Sequence, residues 1–255
     1  MRRVRDWIFT VPFLIAFGMT LVVYDVAGRL VRPFSLRGFE YVMAALQRTL
    51  MNTFRIAGTR IIVEQSPAIR PRTGYAIISN HQSMFDIVLI GGILFSNFPK
   101  YVAKKELGRW FPSISLNLRW GGNAIIDRTD RARAVATITE MARTAQRRNV
   151  SVAIFPEGTR SRDGRLQRFK RAGSRALLEA ADELPVVPVA VDGAWRLLQH
   201  NLKPVPFGTT VRVRFGDPIP REPGDAAAIA KQAEAWIGAT LDEWHSTTNE
   251  PTQPD

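Results

Sequence analysis

The sequence predicts an α/β domain, a mixed sheet flanked by helices, carried behind an N-terminal two-helix membrane-docking segment. Three observations lead there. From about Thr59 onward, short β-branched runs alternate with helix-length segments. Before that, an uncharged apolar run from Trp7 to Tyr24 follows Arg2, Arg3 and Arg5, a length at the lower limit for crossing a bilayer. The stretch FEYVMAALQRTLMNTFRIAG then repeats Val42, Leu46, Leu50 and Phe54 at helical spacing beside Arg48 and Arg55, the pattern of a helix lying on a surface. The boundaries follow as 1–57 for the membrane-associated helices, 58–245 for the domain, and 246–255 for a polar tail expected to be disordered because it has nothing to bury.

The first run has the flanks of a signal peptide, but Asp25 occupies the region where a small-x-small cleavage site would fall, so the segment is read as retained. Pro12 and Gly18 are expected to interrupt a clean helix, favouring an in-plane or re-entrant segment. Arginines on both sides, including Arg29, Arg32 and Arg37, leave its orientation open.

Within the domain, RIIVE (60–64) and YAIIS (75–79) read as strands and DIVLIGGILF (86–95) as an apolar helix. NAIID (123–127) is a short strand, and 131–149 an amphipathic helix with Val135, Ile138, Met141 and Ala142 inward. Strands over 150–155, 185–191 and 209–216 follow, with an Ala-rich helix around 172–183 between the first two. The strict alternation of TTVRVRFG, arginines outward, places it nearer an edge than the others. A last helix precedes the tail.

A chain of 255 residues with 45% apolar content builds one substantial core. Thirty-five Lys and Arg against 23 Asp and Glu give +12, so some surface attracts nucleic acid, anionic lipid or a phosphorylated substrate. No helix-turn-helix, zinc or RNA-binding signature and no aromatic-basic strip is present, so no nucleic-acid partner is expected. The lack of cysteine removes thiolate nucleophiles and Cys-based metal sites, and three histidines are too few for a His-rich one, so no metal is expected.

Two stretches carry chemistry. In NHQSMFD (80–86), His81 precedes Asp86 by five residues, too far round a regular helix for contact, so the two meet only if the chain turns helical just after His81. Ser83 reads as the N-cap with Asp86 completing a capping box. Two readings stand: Asp86 caps its own helix, or it orients His81 as a general base while helix N-terminal amides stabilise an oxyanion. With no Ser or Cys at a nucleophile elbow, the second reading implies direct transfer to a substrate hydroxyl. FPEGTRSRDGR (155–165) follows a strand and offers free amides, a hydroxyl and a bidentate guanidinium that suit a phosphate; the alternative is a charged turn.

With GGNAIIDR (121–128) and VPVAV (187–191), these stretches form four ordered blocks, and here the chain resembles the 1-acylglycerol-3-phosphate acyltransferases of the glycerolipid acyltransferase group. The resemblance implies a glycerolipid acyltransferase-like fold at the cytoplasmic face of the inner membrane. It also implies transfer of a fatty acyl group from acyl-CoA or acyl carrier protein to the sn-2 hydroxyl of lysophosphatidic acid, with membrane phospholipid as surroundings and no cofactor. It carries the general base onto His81 and its partner onto Asp86. Glu157, Gly158, Thr159 and Arg160 shape the acceptor site, with Arg160 on the phosphate, Arg128 assisting, and Lys104 and Lys105 of VAKKEL as further phosphate contacts. Ile125 stands where the family often has an aromatic residue, and RAGS after Lys170 shifts a glycine by one position. Other acceptors, such as glycerol-3-phosphate, a lysophospholipid or a lyso-aminolipid, fit the same chemistry. A membrane-attached binding protein without chemistry would need the arginine but not the base.

Overall fold

The β-branched runs become seven strands of one sheet in a computed structural model that describes residues 2–109, 111–222 and 224–249. They are β1 (Arg60–Gln65), β2 (Ala76–Ser79), β3 (Lys100–Lys104), β4 (Ala124–Ile126), β5 (Val152–Ile154), β6 (Val186–Asp192) and β7 (Thr210–Phe215), in the order β1-β7-β6-β2-β5-β3-β4. Neighbours run parallel except β6 and β7, which makes the sheet mixed. The C-terminal ends of β2, β3, β5 and β6 therefore share one edge, and their N-terminal ends the opposite one.

Among the described residues, seven α-helices pack around it: α1 (Arg2–Val31), α2 (Leu36–Thr53), α3 (Asp86–Ile93), α4 (Ile114–Trp120), α5 (Arg131–Arg147), α6 (Arg171–Ala180) and α7 (Ala226–Asn249). The period of two in β2 divides the core. Ile77 joins Phe39, Leu50 and Leu89 of α2 and α3 on one face, whereas Ala76 and Ile78 join Ile138, Leu177 and Ile237 of α5, α6 and α7 on the other. Burial on both faces explains why β2 and β6 read as continuous apolar runs. Gly91 lets α3 approach α2, since a Cβ there would lie 1.9 Å from Gln47 Oε1.

Four expectations need correction. Helix α1 runs unbroken through Pro12 and Gly18; the hydrogen bond lost at Pro12 is outweighed by packing of Phe13 and Phe17 against Phe54 and Phe85. Strand β7 is not at the edge but second from it, behind β1. Its outward arginine has a different reason: Arg214 pairs with Glu64 of β1 and, through both terminal nitrogens, with Glu243 of α7. Helix α7 extends to Asn249, four residues into the segment read as a disordered tail, while 250–255 lie outside the described residues. Helix α3 begins at Asp86 as read, but Ser83 is not its N-cap: Phe85 holds that position and makes no side-chain cap bond.

Strand β3 and helix α4 were not anticipated. KYVAK carries lysines at both ends, which masks its alternation, and the buried Lys100 is compensated by Glu40 from α2, 2.6 Å away and far off in sequence.

Helix α1 lies along the domain rather than standing off it. Thr10 and Phe13 are buried, Thr10 Oγ1 accepts the N–H of Val205, and Asp6 accepts that of Phe207. Near its other end Asp25 accepts the N–H of Ser113 ahead of α4. The opposite side, with Val4, Ile8, Val11, Ile15, Val22 and Val26, is exposed.

Candidate functional site

The site is assembled where β2, β3, β5 and β6 end. Asn80, directly after β2, is buried; its side chain donates to the Val191 carbonyl and accepts the Val191 N–H, both at 2.8 Å, so it clamps the start of the loop to β6. His81 comes next, still outside the helix. Its Nδ1 lies 2.8 Å from Asp86 Oδ2, the contact that a loop-to-helix transition makes possible.

The same Oδ2 accepts the N–H of Gln82 at 2.7 Å and of Ser83 at 2.8 Å. Asp86 thus combines the two alternatives in modified form: it binds the amides of the turn ahead of α3, not a cap of the helix itself, and holds the imidazole. The hydroxyl of Ser83 accepts the N–H of Phe85, and the Asp86 N–H goes to the Ser83 carbonyl. The amides of Gln82, Ser83, Phe85 and Asp86 are therefore consumed locally. That corrects the expectation that the helix N-terminus serves an oxyanion with these groups.

A carboxylate can only accept, so Nδ1 carries the proton and Nε2 keeps the lone pair that a base needs. The imidazole is set further by Phe155 at the end of β5, stacked on it with ring centroids 4.2 Å apart at 19°. Asp86 is fully buried and its Oδ1 has no hydrogen-bond partner among the described residues.

The second stretch wraps over the first. Glu157 is buried, its Oε1 accepts the His81 N–H at 2.6 Å, and its Oε2 accepts the Gln167 N–H at 3.1 Å. It positions the backbone of the histidine. Burial pushes its carboxyl up to about 7, against the pull of the two N–H groups and with a smaller push from the charge of Asp86. Ser161 N–H donates to the His81 carbonyl at 2.7 Å, completing a brace on both sides of that residue. Gly158 adopts φ +69, and its carbonyl accepts from Arg128, which ties the IDR block to the EGTR block.

Thr159 and Arg160 are exposed on the same loop, and the Arg160 side chain has no ion pair among the described residues. Lys104 ends β3, two strands from β2 on the same edge, and is exposed. Lys105 is bonded to Asp127 at 2.5 Å, so its ammonium braces the IDR block instead of standing free.

Gln82 joins the site without a signature of its own in the sequence. It is buried, and its amide donates to the Gly164 carbonyl at 3.1 Å and to Asp192 Oδ1 at 3.2 Å, tying the histidine loop to the EGTR loop and to the end of β6. Only its place next to His81 signalled it.

The profile of the family described as Acyltransferase matches residues 60–192, more than half of the chain. The 1-acyl-sn-glycerol-3-phosphate acyltransferase of Cocos nucifera is 35% identical over 170 residues, covering 64% of this chain and 51% of the relative. The alpha form from Homo sapiens is 29% identical over 191 residues, 74% of this chain and 66% of the relative. The crystal structure of the 1-acyl-sn-glycerophosphate (LPA) acyltransferase PlsC from Thermotoga maritima superposes with a TM-score of 0.78 over 99% of this chain and 100% of that one, at 22% identity, which is a likeness of fold. The chain spans about half to two thirds of the length of the curated relatives it matches.

Proposed function

The chain belongs to the Acyltransferase family, and from that premise we propose that it transfers a fatty acyl group from acyl-CoA or acyl carrier protein to the sn-2 hydroxyl of 1-acyl-glycerol-3-phosphate, yielding phosphatidic acid. The observation that carries this reading is the contact of His81 Nδ1 with Asp86 Oδ2 at 2.8 Å, on a loop braced by Glu157 and Ser161.

His81 Nε2 takes the proton of the acceptor hydroxyl as that oxygen attacks the thioester carbonyl, and Asp86 stabilises the imidazolium. The tetrahedral intermediate then expels the carrier thiolate, which takes the proton back from His81. Arg160 anchors the acceptor phosphate by charge-assisted hydrogen bonds, with Lys104 as a further phosphate contact. Arg128, Lys105, Glu157 and Gly158 act one step back, as the frame of the loop. The exposed apolar side of α1 rests in the bilayer surface, its inner side held by the domain, which keeps the domain at the membrane where lysophosphatidic acid resides. The reading places the enzyme on the cytoplasmic membrane, facing the cytoplasm, where the thioester donors are.

The test is acyl transfer by the purified protein in detergent. A labelled acyl thioester is offered with lysophosphatidic acid, glycerol-3-phosphate and neutral lysolipids side by side, with His81→Ala as control. Product from lysophosphatidic acid, lost in the variant, supports the reading; transfer that survives in a folded His81→Ala protein defeats it.

A further inference from the structure

At the edge of the sheet opposite His81, the segments leading into β2, β3 and β5 surround a cavity of about 290 Å³ with α2 and the end of α5. That volume is at the lower end for small-ligand pockets, roughly 300 Å³ and above. Arg37, Arg72 and Arg148 line it, together with Tyr41, Ser96 and Phe98, and no carboxylate does.

Charge behind the wall is unbalanced. Among the described residues, buried Glu40 is the one carboxylate paired with three cations: Lys100 Nζ at 2.6 Å, Arg148 at 3.0 Å and Arg37 at 3.4 Å. Lys100 already answers Glu40 one for one, so Arg148 and Arg37 are surplus. Burial holds the Lys100 pKa below the usual lysine range; Glu40 opposes this, and the charges of Arg148 and Arg37 add to it. The Arg72 guanidinium brings a further charge and has no ion pair among the described residues.

The donors are also held in place. The Arg37 guanidinium sits over the Phe98 ring, 4.9 Å from its centroid, and Tyr41 meets the same ring edge-on at 4.8 Å. Ser96 Oγ accepts the N–H of Arg72, which leaves its own hydroxyl proton to donate elsewhere, and Asn149 Nδ2 donates to the Arg72 carbonyl. Arg72, Phe98 and Asn149 all have positive φ, at 58°, 47° and 48°, an unfavourable conformation for residues with a Cβ. The fold keeps three such residues around one cavity.

We infer that this cavity is a second anion site, separate from the acyl-transfer site, that binds a phosphate group through Arg37, Arg72 and Arg148. Planar guanidiniums, a hydroxyl donor and an aromatic wall suit a phosphate oxyanion, and the Glu40 carboxylate that Arg37 and Arg148 share lies behind the wall, where Lys100 already matches its charge. The phosphate is that of a phospholipid headgroup or of a soluble phosphate. The lipid source fits the surroundings, since Phe34 (89% exposed) and Leu30 (66% exposed) sit just before the α2 turn that carries Arg37.

The test uses the full chain in neutral detergent, in an Arg160→Ala background that removes the proposed acceptor-phosphate contact. Arg72→Gly relieves the positive φ while deleting the guanidinium; Arg37→Met is measured beside it and carries the test alone should Arg72→Gly fail to fold. In one arm, the melting midpoint is followed against inorganic phosphate at ionic strength held constant with chloride. In the other, the detergent is removed in the presence of preformed vesicles and flotation is measured on phosphatidylcholine vesicles with and without phosphatidylglycerol. Binding of soluble phosphate predicts a saturable rise in midpoint whose half-point moves at least tenfold higher in the variants. Binding of a headgroup predicts that both variants lose the extra flotation given by phosphatidylglycerol and keep that on phosphatidylcholine alone. Either outcome supports the site. Variants indistinguishable from their parent in both arms overturn it.

Discussion

Asp86 Oδ2 accepts from His81 Nδ1 and from the backbone N–H groups of Gln82 and Ser83, all within 2.8 Å. One oxygen thereby couples the chemistry of the imidazole to the start of α3, and the two partners should fail differently. His81→Ala removes a base but no structural bond to a side chain other than Asp86, so acyl transfer should fall by roughly 10²–10⁴-fold while the fold survives. Asp86→Ala strips two buried amides of their acceptor. At roughly 1.5–3 kcal/mol for each hydrogen bond to a charged group, it should lower stability by several kcal/mol as well as activity. Activity and melting measured on both variants separate these roles; an Asp86→Ala protein as stable as wild type would contradict the shared-oxygen account.

Glu157 gives a pH signature. Its carboxyl is pushed from 4.5 to about 7 in the folded protein, chiefly by burial. A raised folded pKa means that the folded state holds the proton more tightly than the unfolded one. Its contribution is fully present below about 4.5 and is lost as pH rises through about 7. Glu157→Gln cannot titrate. Wild-type stability relative to this variant should therefore decline by on the order of 3 kcal/mol across that window and level off above it. Denaturant unfolding of both proteins at a series of pH values checks this; parallel curves would place the proton elsewhere.

The elements that reading the chain recovers are those whose cause is local. RIIVE, YAIIS and PVVPVAV are β-branched runs bounded by turn residues, and they stand as β1, β2 and β6. The histidine loop is local too, since Ser83 and Asp86 announce a helix start within the reach of His81. What escapes is set by distant partners. Lys100 in β3 needs Glu40 from another helix, and Gln82 shows its purpose only when Gly164 and Asp192 arrive beside it. Likewise, the lysine run of VAKKEL gives no sign that Asp127 takes up Lys105. Pro12 departs from its usual effect for the same reason: the aromatic packing that carries α1 through it involves Phe54 and Phe85.

Arg160 is the exposed guanidinium of the EGTR loop, and under the proposed mechanism it meets the acceptor phosphate. Arg160→Ala should raise KM for lysophosphatidic acid by roughly 10- to 100-fold, the equivalent of one or two charge-assisted hydrogen bonds, with a smaller change in kcat. Lys105→Ala is the contrast. Its ammonium is bonded to Asp127, so the KM effect should be smaller. Steady-state kinetics with varied acceptor decides, and equal KM changes in the two variants would argue that Lys105 leaves Asp127 to bind substrate.

Ile8, Ile15 and Val22 are each more than half exposed and fall seven residues apart on the outer side of α1, whereas Phe13 on its inner side is 1% exposed. A helix of 30 residues, about 45 Å long, that shows apolar side chains outward along most of its length is stable in water only if something covers that side. The bilayer surface is the proposed cover. Replacing Ile8, Ile15 and Val22 one at a time with Glu should weaken vesicle binding by roughly tenfold each, since a buried aliphatic side chain contributes about 1.5 kcal/mol or more. Melting in detergent should stay within about 0.5 kcal/mol of wild type, as expected for surface positions. Phe13→Glu should do the reverse, destabilising the domain even in detergent because it places a charge among Phe17, Phe54 and the rest of that cluster. Flotation and melting together test the two sides of the helix, and outward substitutions that leave flotation unchanged would show that α1 is covered by something other than lipid.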